Sequence, residues 1–253
     1  MSQRLKSMRQ QPLLSPPAED TGSWRRMSTE DEAAMKRRLH EARDFDGGAG
    51  DGLAIALMHH WMRRLGVSEQ ATDKDRESMD RTLQNGRKET ELYDSGFFIA
   101  GMLYWRGESG VNGKVTGADE TAMRSYLQAC REEDKGMGIA QMHHLMGRLG
   151  VREPLTDEDK ASIRRSLQTS REEDNGRDIA RSHYLMGRLG MGEPATAEDE
   201  AAIRKNLQSG RSAYGGRGDG RTIAEMLFLI GEVLPRERTG PQQPIPSLKR
   251  FVR

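Results

Sequence analysis

The chain has 253 residues, of which 31% are charged and only 5% are aromatic, and its formal net charge is +1. Its one cysteine, Cys130, excludes an intrachain disulfide framework and a four-cysteine zinc site. A single cysteine also favours a reducing, intracellular compartment. The longest apolar run, residues 97–105, has nine residues, whereas a membrane-spanning helix needs about 20.

The charge is unevenly distributed along the chain. Residues 1–26 contain five basic and two acidic side chains, a net charge of +3, and residues 235–253 contain five basic and one acidic, a net charge of +4. The remaining residues therefore carry a net charge of −6. An acidic body with two basic arms is indicated, and such an asymmetry bears on partners rather than on fold.

Residues 1–27 are predicted to be a basic, proline-containing arm. They contain Pro12, Pro16 and Pro17 and show no apolar periodicity, which is typical of a segment without a fold of its own. The first 18 residues include three basic and no acidic side chains, so a mitochondrial or other organellar targeting segment and an ordinary terminal arm are both open alternatives. The candidate partner contacts in this arm are Arg4, Lys6, Arg9, Arg25 and Arg26.

Five copies of one unit fill residues 28–234. The text GMGIAQMHHLMGRLG at 136–150 is closely matched by GRDIARSHYLMGRLG at 176–190. A Ser or Thr followed three positions later by Asp recurs at Ser28, Thr72, Thr116, Thr156 and Thr196, and this helix-start signal sets the register. The repeats are therefore 28–71, 72–115, 116–155, 156–195 and 196–234. A fixed period of this length is typical of stacked helical repeats.

Each unit is predicted to be a pair of helices of unequal burial. The first begins at the capping box and has a narrow apolar stripe, as at Met79 and Leu83, so most of its surface faces solvent. The second is apolar on nearly all sides and is expected to be buried. Because such a pair cannot bury its apolar surface alone, the sequence predicts an all-α fold, an α-solenoid of five two-helix repeats with extended N- and C-terminal arms.

Several repeat features carry more specific expectations. Glycines within the second helix, each costing about 1 kcal/mol relative to Ala, predict close approach of a neighbouring helix at Gly107, Gly147, Gly187 and Gly231. Repeat five ends at Pro235 rather than at glycine, which indicates a terminal cap. Longer links in repeats one, two and five should project from one edge of the stack.

The alternation of a capped helix with a buried helix ending in LMGRLG resembles the broad class of tetratricopeptide, Sel1-like and pentatricopeptide repeats over residues 28–234. The resemblance is at the level of the class and points to no specific family. It implies a helical-repeat fold and carries over no functional residue.

An arginine occupies one register position in every repeat and forms a candidate binding row. Its members are Arg43, Arg87, Arg131, Arg171 and Arg211. A regular row of guanidinium groups could follow a phosphate backbone. Alternatively, each arginine lies near a helix C-terminus, where it favours the dipole, with the Asp of the next cap available as a partner. The acidic body favours this structural interpretation.

The histidines suggest packing rather than catalysis or metal binding. Two adjacent pairs occur, His59 with His60 and His143 with His144, but neighbouring side chains on a helix point about 100° apart and cannot chelate one ion. Leu, Tyr or Phe takes the same register positions in other repeats. No nucleophile motif or phosphate-binding loop occurs, so no metal, no cofactor and no enzymatic activity are expected.

The predicted function is a non-catalytic protein–protein interaction scaffold, or a structural subunit of a larger assembly, anchored by its basic arms. The second arm, residues 235–253, has four prolines and the candidate contacts Lys249, Arg250 and Arg253. The alternative is an RNA-binding helical-repeat protein, organellar or ribosome-associated, that contacts phosphates through the arginine row or the arms.

Overall fold

The computed structural model describes residues 25–48, 50–88, 95–108 and 114–234. Within these ranges the chain forms ten α-helices and no strand. The helices are α1 (Thr29–Gly48), α2 (Gly52–Arg64), α3 (Asp73–Lys88), α4 (Ser95–Glu108), α5 (Gly117–Glu132), α6 (Gly136–Arg148), α7 (Asp157–Glu172), α8 (Gly176–Arg188), α9 (Ala197–Gly216) and α10 (Gly220–Val233). The predicted all-α fold of five two-helix repeats is confirmed.

The helices form two layers. The even-numbered helices are inner helices: each packs against the outer helix of its own repeat, the outer helix of the next repeat and the inner helices on either side. The core lies between the layers and is built mainly from Met, Leu, Ile and Ala. Because neighbours surround the inner helix on all sides, its apolar surface is buried on nearly every face.

The five repeats close into a ring. Helix α10 packs against α1 and α2 of the first repeat in the same way as each other inner helix packs against the repeat that follows it. The interpretation of repeat five as a terminal cap is therefore wrong, because its inner helix has a neighbour on both sides. The rotation between successive repeats of a helical stack is small and cumulative, and here five of them complete the turn.

The helix boundaries follow the predicted signals. The Thr116 side chain accepts a hydrogen bond from the backbone N–H of Asp119, and the Asp119 carboxylate accepts one from the backbone N–H of Thr116. The same reciprocal pair is present at Ser28, Thr72, Thr156 and Thr196. The capping boxes are thus confirmed in all five repeats, and each places its Asp at the start of an outer helix.

A glycine at the start of each inner helix allows two backbones to approach closely. A Cβ atom added at Gly136 would lie 2.2 Å from the carbonyl oxygen of Ser162 on the next outer helix, and one at Gly220 would lie 2.2 Å from that of Ala34. By contrast, added Cβ atoms at Gly107, Gly147, Gly187 and Gly231 would meet nothing within 4 Å. The predicted helix contact at these mid-helix glycines is wrong; the close contact lies at the other end of the helix.

No helix in the described part of the chain is both long and apolar enough to cross a membrane.

Candidate functional site

The arginine row joins successive repeats. Arg43 donates from Nε and Nη2 to the two carboxylate oxygens of Asp75, at 2.9 and 2.8 Å. The equivalent pairs are Arg87 with Asp119, Arg131 with Asp159, Arg171 with Asp199, and Arg211 with Asp31 across the ring closure. In every case the outer helix of one repeat is bonded to the capping Asp of the next.

Three of these aspartates also accept a hydrogen bond from a histidine. The Nε2 atoms of His59, His143 and His183 lie 3.0, 3.1 and 2.9 Å from Asp75, Asp159 and Asp199 respectively. Burial opposes ionisation of these carboxyls, but hydrogen bonds from histidine, arginine and the capping backbone outweigh it and hold the pKa of each Asp well below its usual range. These histidines and arginines therefore stabilise the joints between repeats.

This geometry gives the row a structural role, because each guanidinium already binds a carboxylate bidentately. Among the described residues, no three His, Cys, Asp or Glu side chains converge in a way that could hold a metal ion. Arg25 of the first arm pairs with Glu200 at 2.6 Å, and the Arg26 carbonyl accepts a hydrogen bond from Arg211. The other candidate arm contacts, Arg4, Lys6, Arg9, Lys249, Arg250 and Arg253, lie outside the described residues.

At the centre of the closed ring of repeats, each inner helix contributes one aromatic or imidazole side chain to a continuous layer, here called the aromatic layer. Its members, in order around the ring, are His60, Tyr104, His144, Tyr184 and Phe228. Neighbouring ring centroids lie 5.3–5.9 Å apart with tilted or edge-to-face orientations, as aromatic pairs prefer. Phe228 contacts His60, so the layer is complete only because the ring of repeats is closed.

A charged collar lies one helical turn beyond the aromatic layer. It consists of Arg64, Glu108, Arg148, Arg188 and Glu232. Arg188 pairs with Glu232 at 2.5 Å and Arg148 with Glu108 at 3.3 Å. The guanidinium of Arg188 also stands 5.1 Å from the centroid of the Tyr184 ring, a cation–π distance.

The two histidines of the aromatic layer are neutral at physiological pH. Burial, reinforced by nearby arginines, lowers the pKa of His60 and of His144 to about 4. The Nδ1 atom of His60 is buried, has no hydrogen-bond partner among the described residues, and lies 4.0 Å from the Glu108 carboxylate. Burial likewise raises the pKa of Tyr104, so the layer as a whole is uncharged.

On the other side of the aromatic layer lies a cavity of about 180 Å³, the central cavity, lined by the first turns of the inner helices. One wall is apolar and comes from repeats one and two: Leu53, Leu57, Trp61, Phe97 and Trp105. The indole of Trp105 lies over Gly101, where an added Cβ would come within 2.5 Å of the ring. Gly101 thus leaves room for the indole to face the cavity.

The opposite wall comes from repeats four and five and is charged. The buried carboxylate of Glu225 accepts hydrogen bonds from Arg177, at 2.9 and 2.5 Å, and from Arg181. Arg221, at the mouth of the cavity, forms no ion pair with another described residue. Loss of hydration and the neighbouring guanidinium of Arg177 lower the pKa of Arg221. Arg181 also pairs with Asp178, at 3.5 Å. Arg177, Arg181 and Arg221 therefore stand beside two carboxylates, which leaves an excess of one positive charge beside an apolar wall.

This site was not predicted from the sequence, although a signal was present. Charged residues near the start of the inner helices α8 and α10 take positions that are apolar in repeat one. Arg177 and Arg221 correspond to Leu53, and Arg181 and Glu225 correspond to Leu57. Charges within a buried helix are rare unless they are paired. The unpredicted element was ring closure, which sets the charged wall of the last repeats opposite the apolar wall of the first two.

Comparison with known proteins gave no match: no family model, no curated protein and no solved structure is significantly similar to this chain.

Proposed function

We propose that the protein is a ligand-binding protein whose central cavity takes a small amphipathic anion. The observation that supports this is the excess of guanidinium groups on one wall, where Arg181 and Arg221 line the cavity with the single carboxylate of Glu225, facing an apolar wall that contains two tryptophans. Arginine pairs bidentately with carboxylates and phosphates, and the opposite wall offers burial to an apolar body.

Binding is favoured over turnover by the chemistry of the groups that line the cavity. A general base works best with a pKa near the operating pH, whereas the pKa values of His60 and His144 are lowered to about 4. The arginines cannot lose a proton in the physiological range. The cavity is thus equipped to hold an anion rather than to transfer a proton.

Isothermal titration calorimetry with matched pairs of probes tests this function. We expect at least one of the anions hexanoate, benzoate and phenyl phosphate to bind with 1:1 stoichiometry. The uncharged alcohols hexanol and benzyl alcohol should bind more weakly than the corresponding carboxylates, hexanoate and benzoate. Arg221→Gln should weaken binding at least 10-fold, because a charge-assisted hydrogen bond is lost. The matched control is Arg152→Gln, which removes an exposed arginine away from the cavity. Absence of binding by all the anions, or equal affinity in Arg221→Gln, would contradict the proposal.

A second candidate function is the protein–protein scaffold predicted from the sequence. Among the described residues, two large apolar side chains are exposed, Phe45 at 63% and Tyr214 at 76%, near the C-terminal ends of α1 and α9 in adjacent repeats. Tyr214 has a backbone φ of +53°, an uncommon conformation for a residue with a side chain. Aromatic side chains are enriched at protein–protein interfaces.

The scaffold function is tested by affinity purification of the full chain and of the double variant Phe45→Ser/Tyr214→Ser. A protein that is recovered in stoichiometric amount with the native chain should be lost from the variant. The control is the pair His40→Ser/Arg152→Ser, which changes other exposed positions. If the same partner were recovered equally with both variants, Phe45 and Tyr214 would not belong to its binding site. The alternative of RNA binding stays a prediction that depends on the arms.

A further inference from the structure

The size of the central cavity limits the ligand. Its volume is about 180 Å³, and an apolar protein cavity of about 150 Å³ holds one benzene molecule. The space therefore suits one six-membered ring with a small substituent. A second fused ring or a long alkyl chain would have to extend through the mouth into solvent.

The apolar surfaces of the cavity are largely aromatic. Trp61, Phe97 and Trp105 contribute to one wall, and the aromatic layer forms the floor. Aromatic pairs in stacked or edge-to-face geometry gain about 0.5–1.5 kcal/mol beyond the burial of their area. A planar aromatic ring would therefore gain more from this site than a saturated ring of the same size.

The charged wall indicates a single negative charge at the mouth. Arg221 is unpaired among the described residues, and Arg181 lines the cavity beside it. The buried carboxylate of Glu225 lines the cavity with them and would repel a second negative charge. A carboxylate fits the fork of a guanidinium bidentately, and its small size leaves the remaining volume to the ring.

We infer that the central cavity is a binding site for a monocyclic aromatic carboxylate, with its ring against Trp61, Trp105 and the aromatic layer, and its carboxylate bound by Arg221 and Arg181. This inference rests on the proposed ligand-binding function and specifies the chemical class of the ligand. The ring lies deep in the cavity and the carboxylate faces the mouth, because the arginines belong to the first two turns of α8 and α10.

The test is calorimetry and tryptophan fluorescence on the full chain with benzoate as the probe. Cyclohexanecarboxylate has the same charge and ring size without π electrons, 2-naphthoate has a second ring, and phenyl phosphate carries a second charge. Benzoate should bind at least 5-fold more tightly than each of these. It should also change the fluorescence of Trp61 and Trp105, and this change should shrink in Trp105→Leu.

Two variants locate the site, and each is matched to a control. Arg221→Gln should weaken benzoate binding at least 10-fold, and Gly101→Ala should weaken it by displacing the Trp105 indole from the position it occupies. Arg152→Gln and Gly147→Ala, which lie away from the cavity and in open space, should leave it unchanged. Thermal unfolding of each variant shows whether the protein remains folded.

The outcomes separate this inference from the general function. If cyclohexanecarboxylate or hexanoate bound as tightly as benzoate, the aromatic class would be wrong and the amphipathic-anion site would stand. If phenyl phosphate bound best, the preference for one charge would be wrong. If no probe bound up to about 10 mM, a generous limit for a ligand of about nine non-hydrogen atoms, both the class and the ligand-binding function would be overturned.

Discussion

Arg211 of the last repeat donates from Nε and Nη2 to the two carboxylate oxygens of Asp31 in the first repeat, at 3.0 and 2.6 Å. The two residues are 180 positions apart in the sequence. Their contact is the same as the one that joins each of the four remaining pairs of neighbouring repeats. Asp31 is also the residue that caps α1 through Ser28. The closure is therefore built from the same parts as the other joints.

Arg211→Gln should weaken this closure. Arg87→Gln is the matched variant at a joint within the chain. The two joints are comparable because both lack the histidine found at the other three: Leu227 and Leu103 take the histidine's position. Each substitution should lower the free energy of unfolding by about 1–3 kcal/mol, the range for a lost hydrogen bond to a buried charge. Hydrogen exchange should rise in α1 and α9 for the first variant and in α3 and α5 for the second. If Arg211→Gln left exchange in α1 unchanged, the pair would not stabilise the closure.

The capping aspartates should make the protein sensitive to acid. The pKa of Asp75 is held well below its usual range, so its stabilising contribution is complete above the unfolded pKa of about 4 and is lost as the pH falls below that value. Asp75→Asn should cost about 3–5 kcal/mol at pH 7, because Arg43 and His59 lose a buried charged partner. The variant should also show a shallower loss of stability below pH 4.

The control for this substitution is Asp73→Asn on the same helix. The Asp73 side chain is 92% exposed and, among the described residues, pairs with Arg76 alone, so its replacement should change the stability by less than about 1 kcal/mol. Urea unfolding of both variants between pH 2 and pH 7 provides the measurement. Equal losses in the two variants would contradict the role assigned to Asp75.

The local structure was largely predictable from the sequence, because its signals are local. A Thr and an Asp three positions apart define a capping box wherever they start a helix, and an all-round apolar helix such as α10 has to be buried. The pairing of the arginine row with the capping aspartates was likewise open to prediction, because the register places each arginine near the next cap. These features depend on residues within one repeat or at one joint.

Ring closure and the central cavity were not predictable in the same way. No single residue specifies the rotation between repeats, and closure follows only from the sum of five small rotations. The Phe228–His60 contact, and the cavity that Arg221 and Trp105 both line, depend on that sum. The mid-helix glycines led to a wrong prediction. A glycine within a helix often marks close contact with a neighbouring helix, but Gly147 and Gly187 face open space.

The two histidines of the aromatic layer should add a second pH dependence, at higher pH than the aspartates. The pKa of His60 and of His144 is about 4 in the folded protein and about 6.5 in the unfolded chain. Between these values the unfolded chain binds more protons, so stability falls as the pH drops from 6.5 to 4, by about 1.4 kcal/mol per pH unit for each histidine.

Replacing both rings with phenylalanine, the residue at the equivalent position 228, should remove this dependence while keeping the aromatic layer. The double variant His60→Phe/His144→Phe should therefore gain stability relative to the native protein as the pH falls from 6.5 to 4. The control is His40→Phe, since His40 is exposed on the outer helix α1. A native protein whose stability did not change between pH 6.5 and pH 4 would contradict the lowered pKa of these two rings.

Two glycines of the same helix, α8, should respond to alanine in opposite directions. An added Cβ at Gly176 would lie 2.0 Å from the carbonyl oxygen of Ala202, a backbone atom that cannot move without shifting α9. Gly176→Ala should therefore cost about 1–3 kcal/mol or more, as overpacking does. Added at Gly187, the same methyl group meets nothing within 4 Å. Gly187→Ala should instead stabilise the helix by up to about 1 kcal/mol.

Urea unfolding of the two variants measures both effects, and only their signs need to be compared. Because both substitutions add the same methyl group to the same helix, the difference between them isolates the contact with the next repeat from helix propensity. The ring closure has the same close approach, since an added Cβ at Gly220 would lie 2.2 Å from the Ala34 carbonyl oxygen. Gly220→Ala should thus destabilise the protein as Gly176→Ala does, whereas in an open stack it would have no neighbour to meet and would stabilise α10.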